Sequence, residues 1–463
     1  MSAAESTWVM LVRIWLRRLL SNKFLRHVGV LAGGTAVAQA LTVIVLPILT
    51  RLYTPQHFSI LAVYASLLSI LSVAACLRFE IAIAIPESDS DAINLLALAL
   101  SSSLALAMLV GCISIAFPAR VIELVHQPGL RPYLWMLPLG IWLSGSYAAL
   151  QYWSTRKHKF TVIAKTRMTQ AIGGAGVQVG FGWLGMAPFG LLLGQMINSG
   201  AGIAGLGRDF FREDRNKLPS LSFNGMRKMF HAYDRFPKYS TFEGLANTAG
   251  IQLPVIIIAA LAVGPEAGYL MLATRAMAAP MTLIGSSVAQ VYLSRAPEEL
   301  RRDSLGEFTA KVIGGLAKSG VGPLIFAGII SPVAFPIIFG EEWRRAGDIV
   351  GWMTPWFVAQ FLASPVSMTL HVTGHQRRAL VLQLFGVIVR VGAVLLAAKF
   401  AADDVVEIYA VSGFLFYLVY VYVVVIVSGM RLQRLIAVLR EALPWVAIWT
   451  TTALACRAAI AFL

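Results

Sequence analysis

The sequence predicts an all-α polytopic membrane protein, and three observations carry that expectation. Only 13% of the 463 residues are charged and 58% are apolar, with a mean hydropathy of +0.73; soluble domains carry roughly 25% charged residues. Thirteen apolar stretches run along the chain, most of them as long as the 18 or more residues a helix needs to cross about 30 Å of hydrocarbon. Finally, if the spans alternate from a cytoplasmic N-terminus, 29 of the 38 lysines and arginines fall on the inner side and 7 on the outer, with Arg275 and Arg390 inside spans. That asymmetry sets the orientation and accounts for the net charge of +15 through topology and acidic headgroups, not through nucleic acid.

In chain order, residues 1–27 form a cytoplasmic segment. Its stretch 8–20 holds Arg13, Arg17 and Arg18 among apolar residues, the pattern of an amphipathic helix lying on the membrane surface. No cleavable signal peptide is expected: Ala36 and Ala38 stand at the start of the first apolar run, whereas a cleavage site follows such a run. Six spans are expected near 28–50, 57–77, 92–117, 133–153, 161–183 and 187–207, making a first lobe over 28–207. The basic stretch 208–238 is the longest loop and reads as a cytoplasmic linker. Six more spans follow near 239–262, 267–293, 313–338, 347–371, 379–398 and 405–429, a second lobe over 239–429. Residues 430–463 hold a basic loop and a thirteenth span at 442–463, interrupted by Pro444 and Arg457.

The halves echo each other faintly. Thr54-Pro55-Gln56 and Gly264-Pro265-Glu266 each follow an apolar span containing a proline, Pro47 or Pro254, and each precedes another apolar helix. Six spans plus six in like orientation would be parallel repeats about an axis along the membrane normal, with a cavity between them. The expected architecture is therefore two six-helix lobes around a central cavity, plus one or two accessory C-terminal helices.

Several motifs reduce to structure. Asp89 and Asp91 imitate an acidic pair that holds metal-bound sugar nucleotides, but no α/β domain adjoins them, so a solvated inner loop is expected. In Gly314-Gly315-Leu316-Ala317-Lys318-Ser319, Ala317 precedes the lysine where a phosphate loop needs glycine. That excludes direct ATP drive by this chain. His371 and His375 are four apart, but no carboxylate lies between them and Gly374 ends the helix. Gly176 with Gly180, and Gly202, Gly205 and Gly207, suggest close helix contact. Cys76, Cys112 and Cys456 sit in apolar spans without metal spacing. No cofactor and no metal are expected.

The polar residues inside spans are the informative ones. Arg275 and Arg390 lie mid-span, where a cation costs roughly 2.5–3.5 kcal/mol and faces a cavity or a partner. Lys165, Arg167, Arg78 and Lys318 lie near inner span ends and either snorkel to the headgroups or join that cavity. Gln39, Gln178, Gln252, Gln290, Gln360 and Gln383 add uncharged donors, and Glu80 stands beside Arg78. Glu243, about one turn into the seventh span, is the carboxylate that lies clearly within one. It serves either as an ion-coupling site or as a partner for Lys238 or Lys165. A cavity of this composition is net positive and suits phosphate oxygens.

Several segments resemble the Wzx-type oligosaccharide flippases of the multidrug/oligosaccharidyl-lipid/polysaccharide exporter superfamily. They include Gly33-Gly34-Thr35-Ala36, Leu46-Pro47 to Pro55, Arg78-Phe79-Glu80 through Pro86, Phe236-Pro237-Lys238, Gln252-Leu253-Pro254, Gly268-Tyr269 with Arg275, and Phe339-Gly340-Glu341-Glu342-Trp343. The resemblance covers spans one to eleven. It implies alternating access by two lobes, with no chemical step. Its implied cargo is a polyprenyl-pyrophosphate-linked oligosaccharide, moved across a bacterial inner membrane for O-antigen, capsule or exopolysaccharide. Arg78, Glu80 and Arg275 match family positions, whereas Lys165, Arg167 and Arg390 rest on burial alone. A polymerase and a chain-length regulator are possible partners. Two competing readings stand beside it. An ion-coupled multidrug exporter would place acidic residues in its first lobe, yet spans one, four, five and six have none. A polysaccharide polymerase or ligase would need a sizeable outer loop.

Overall fold

The computed structural model describes residues 23–262 and 264–461, so the surface helix expected at 8–20 lies outside the described residues. Each of the thirteen spans is a helix, and no strand occurs among the described residues. The first six are α1 (Lys23–Leu52), α2 (Pro55–Ala75), α3 (Asp89–Ala116), α4 (Met136–Arg156), α5 (Phe160–Trp183) and α6 (Phe189–Gly200 continued by Ile203–Glu213). The second six are α7 (Thr241–Leu261), α8 (Glu266–Arg301), α9 (Leu305–Leu316 and Gly322–Phe339, joined by a π-turn), α10 (Arg344–Ala363), α11 (Gln376–Phe400) and α12 (Val405–Val427). Last comes α13 (Leu443–Ala461), which packs on α9.

Helix starts follow local chemistry. Pro55 opens α2 after Thr54, whose backbone N–H donates to His57 Nδ1 at 3.3 Å. Ser88 Oγ accepts from the Asp91 N–H at 3.1 Å and starts α3, with Asp89 and Asp91 at its positive end. Ser222 caps the helix Phe223–Ala232 in the same way.

Helix pairing repeats with an offset of six. In the first half α1 packs on α5, α5 on α6, α3 on α4, α4 on α6 and α2 on α4. In the second half α7 packs on α11, α11 on α12, α9 on α10, α10 on α12 and α8 on α10. The main contacts between halves fit the same rule: α2 meets α7, α8 meets α1, and α2 meets α8. Two six-helix lobes thus face each other across α1, α2, α7 and α8.

The end predicted to face outward is tightly joined between halves. Trp343, fully buried, donates from Nε1 to the Thr50 carbonyl at 3.1 Å and meets the Phe58 ring edge-on at 4.8 Å. The Gly268 N–H donates to Ser59 Oγ at 2.9 Å, and Arg51 donates to the Ile337 carbonyl at 3.3 Å.

The linker is more ordered than a loop. The sixth span runs on to Glu213, because Leu206 and Phe210 continue its buried face past the expected end at 207. The helix Phe223–Ala232 then docks Met229 into a core with Phe79, Ile83 and Trp153. Asp89 is accordingly not a solvated loop residue: Lys157 pairs with it at 2.7 Å, Arg156 at 3.3 Å, and Lys217 closely. Asp214 accepts from Trp153 Nε1 at 3.0 Å, and Lys159 bridges to Asp209 at 2.7 Å and Glu213 at 2.8 Å. Burial opposes the charge on Asp214, but the Trp153 hydrogen bond and the neighbouring Lys159 and Lys217 hold its carboxyl below the usual range.

One further expectation changes. A methyl group at Gly176 or Gly180 would meet nothing within 4 Å. The close approach of α5 and α6 falls at Gly174 and Gly194, where a Cβ would come within 2.8 and 2.6 Å of the other's carbonyl oxygen. In the sixth span Gly202 and Gly205 do pack closely, against Tyr147 and Thr166. As expected, the helix ends before Gly374, which at φ +75° separates Thr369–Val372 from α11, so His371 and His375 do not share one continuous helix.

Candidate functional site

A chamber of about 450 Å³ opens between the first lobe and α8. Among the described residues nine helices are long and apolar enough to cross a membrane, and α1, α4, α5 and α8 are not among them. Those four supply eleven of the thirteen residues lining the chamber. They form most of the polar wall of the cavity. Each wall presents polar groups three or four residues apart, hence on one helix face. They are Gln39 and Thr42 on α1, Tyr147 and Gln151 on α4, Arg167 and Gln170 on α5, and Gln195 and Asn198 on α6.

Arg275 enters from α8 and donates from Nη2 to Gln195 Oε1 at 2.7 Å. Arg275 and Arg167 thus share one chamber whose lining includes no aspartate or glutamate. Four glutamines, an asparagine and two guanidiniums surround this space, a surface that donates hydrogen bonds to phosphate and both donates to and accepts from hydroxyls.

A second chamber of about 360 Å³ lies at the end predicted to face inward, lined by Arg78, Ser240, Glu243, Asn247, Gln383 and Tyr420 among others. Arg78 sits at φ 63° in the turn after α2. It lies against Gly244, where a Cβ would come within 2.1 Å of Nη2. Only glycine lets the guanidinium reach this far between α7 and the turn. Arg78 is 3.8 Å from Glu80, which is buried, and Arg78 Nε and Glu80 Oε2 have no hydrogen-bond partner among the described residues. Glu243 is exposed in this chamber, in the first turn of α7.

The remaining expected residues lie elsewhere. Arg390 lines neither chamber. It is 2% exposed, donates from Nε to the Gly386 carbonyl at 3.0 Å and lies 4.7 Å from the Phe416 ring centroid. Its insertion cost is offset by a cation–π contact and a backbone acceptor, not by a cavity. Lys165 is exposed and lines neither chamber, although it is two residues from Arg167. Lys318 lies in the π-turn of α9 and pairs with Glu441 at 2.8 Å. Of the glutamines named from sequence, Gln39 and Gln383 line the chambers, while Gln178 and Gln252 bond neighbouring helices. Sequence reasoning missed Gln151, Gln170, Gln195 and Asn198. The signal that finds them is the spacing of three or four between polar residues in otherwise apolar helices.

The chain is similar in structure to the lipid II flippase MurJ in an inward closed conformation, with a TM-score of 0.71 at 12% identity. That match covers 93% of this chain and 97% of the other. It is less similar to a multidrug resistance transporter of the MATE family and MOP superfamily in an inward-facing conformation, with a TM-score of 0.49, 13% identity and coverage of 86% and 94%. A MOP superfamily transporter from Pyrococcus furiosus gives a TM-score of 0.47 at 14% identity, covering 89% and 95%. No curated protein matches in sequence. A sequence model for polysaccharide biosynthesis proteins, however, matches residues 48–348, which span α2 to α9, the linker and the Arg275 wall of the chamber. This multi-pass membrane protein belongs to the family of polysaccharide biosynthesis proteins.

Proposed function

We propose that this chain is a flippase for polyprenyl-pyrophosphate-linked oligosaccharide, carrying the glycan unit across a bacterial inner membrane by alternating access, with its N-terminus cytoplasmic. The observation that carries the reading is the chamber shared by Arg275 and Arg167, cationic, amide-rich and without a lining carboxylate. Guanidinium takes pyrophosphate oxygens through paired hydrogen bonds, and the amides suit sugar hydroxyls. At about 450 Å³ the chamber falls in the range of small-ligand pockets. It takes the pyrophosphate and the sugars next to it, while the lipid chain stays in the bilayer.

In this reading Arg78 receives the headgroup at the second chamber before it moves to Arg275. Glu243 is the candidate for ion coupling, since its carboxylate faces that chamber, while Glu80 serves Arg78 as a partner. Arg390 braces the second lobe, and neither it nor Lys165 touches cargo. A carrier of organic cations fits poorly, because the larger of the two chambers has positive charge and no carboxylate on its walls. No chemical step is required of any residue, and a polymerase and a chain-length regulator would act on the flipped product.

The test is Arg275→Ala in cells that depend on this chain for surface polysaccharide. Export should stop while the protein still accumulates, folded, in the membrane. Normal polymer at the surface would reject Arg275 as the cargo site.

A further inference from the structure

On the opposite side of α11 from the second chamber, a groove of about 600 Å³ runs between α11 and α12. Its walls are apolar: Val381 and Phe385, four apart on α11, face Val419 and Val423, four apart on α12. Val381 is 58% exposed, Phe385 41% and Val419 37%. At its mouth stand Arg377 and Arg378, both exposed, in the first turn of α11. Neither has a hydrogen bond or ion pair among the described residues, and no carboxylate lines the groove. By contrast Arg156, Arg302 and Arg434, also at the inward-predicted end, each hold a carboxylate. Ala379, Leu380 and Gln383, which line the second chamber, lie on another face of α11. The groove is therefore separate from the cargo path described above.

Arg377 is four residues before Val381, so its guanidinium stands over the apolar wall on the same helix face. The start of a long helix adds its own positive end. The combination is a phosphate seat at headgroup depth above a slot for hydrocarbon chains. We infer that the α11–α12 groove holds one resident anionic glycerophospholipid of the inner leaflet, its phosphate on Arg377 and Arg378 and its acyl chains between α11 and α12.

The full-length chain in nanodiscs of equal phosphatidylglycerol and phosphatidylcholine tests this by native mass spectrometry of retained lipid. The wild type should keep phosphatidylglycerol preferentially. R377Q/R378Q should lower that preference about 25-fold, at about fivefold for each arginine near an anionic surface. V381W, which fills the slot and leaves both arginines, should lower retention of both lipids and carries the test if the double variant does not fold. The inference is overturned if the preference survives R377Q/R378Q, if V381W retains lipid like the wild type, or if R227Q/R235Q on the linker causes an equal loss. Stronger retention of an isoprenoid phosphate than of phosphatidylglycerol also overturns it, by placing the groove on the cargo's route. None of these outcomes bears on whether Arg275 is needed for export.

Discussion

Arg275 and Arg390 are both mid-span cations needing a reason to be there, and only Arg275 also matches a family position. Their surroundings separate them. Arg275 meets a chamber and an amide oxygen at 2.7 Å, whereas Arg390 is enclosed by Phe416 and the Gly386 carbonyl. Depth was legible, because hydropathy reveals it; the neighbour across the helix interface was not, because residues from distant parts of the chain build it. Two outcomes follow. Arg275→Lys keeps the charge but loses the two-pronged geometry, and should slow transport about 10- to 100-fold, the worth of one charge-assisted hydrogen bond. Arg390→Met should instead lower the melting temperature while transport per folded molecule persists, measured on the same purified samples. If Arg390→Met abolishes transport in a protein of unchanged stability, Arg390 acts on cargo after all.

At the scale of elements, span positions were legible to within a few residues for most helices, since apolar runs must be long enough to cross the bilayer. Contact faces were not. The GxxxG pair at Gly176 and Gly180 meets nothing nearby, while Gly174 and Gly194 touch across α5 and α6; a glycine pattern on one helix does not say which face its neighbour takes. Gly194→Val should accordingly lower the melting temperature strongly, and Gly176→Val should leave it within about 2 °C, an exposed change being worth under about 0.5 kcal/mol. The linker was misread as loop because its charges look solvated, although many are paired. Asp214, with its carboxyl held low, stabilises linker docking above the ordinary carboxylate range and loses that contribution as pH falls through its depressed value. Amide protection over 214–232, taken relative to the intrinsic exchange rate at each pH, should therefore stay flat from neutral pH down to about 4 and fall only below it. Asp214→Asn should already raise exchange at pH 7, and equal protection in that variant would deny the cluster this role.

For the whole molecule, the repeat that the sequence showed as two proline-bearing turns reappears as a pairing rule with an offset of six. The sequence signal was faint because lipid-facing positions accept almost any apolar residue, whereas helix pairing is fixed by geometry. The lobes meet tightly where Trp343 enters between Thr50 and Phe58, so this conformation is closed at the end predicted to face outward. Trp343→Ala should raise labelling of a cysteine placed at Ser59 by an impermeant reagent from outside, in a Cys112→Ser background. Unchanged labelling would mean that Trp343 does not hold that end shut. The claim on which the account rests is that this molecule moves a pyrophosphate-linked glycan and uses Arg275 to do it. The direct measurement is transbilayer movement of a fluorescent polyprenyl-pyrophosphate oligosaccharide in vesicles holding the purified wild type or Arg275→Ala. The account predicts movement with the wild type and none above protein-free vesicles with folded Arg275→Ala; equal rates for both proteins, or no movement with either, would contradict it.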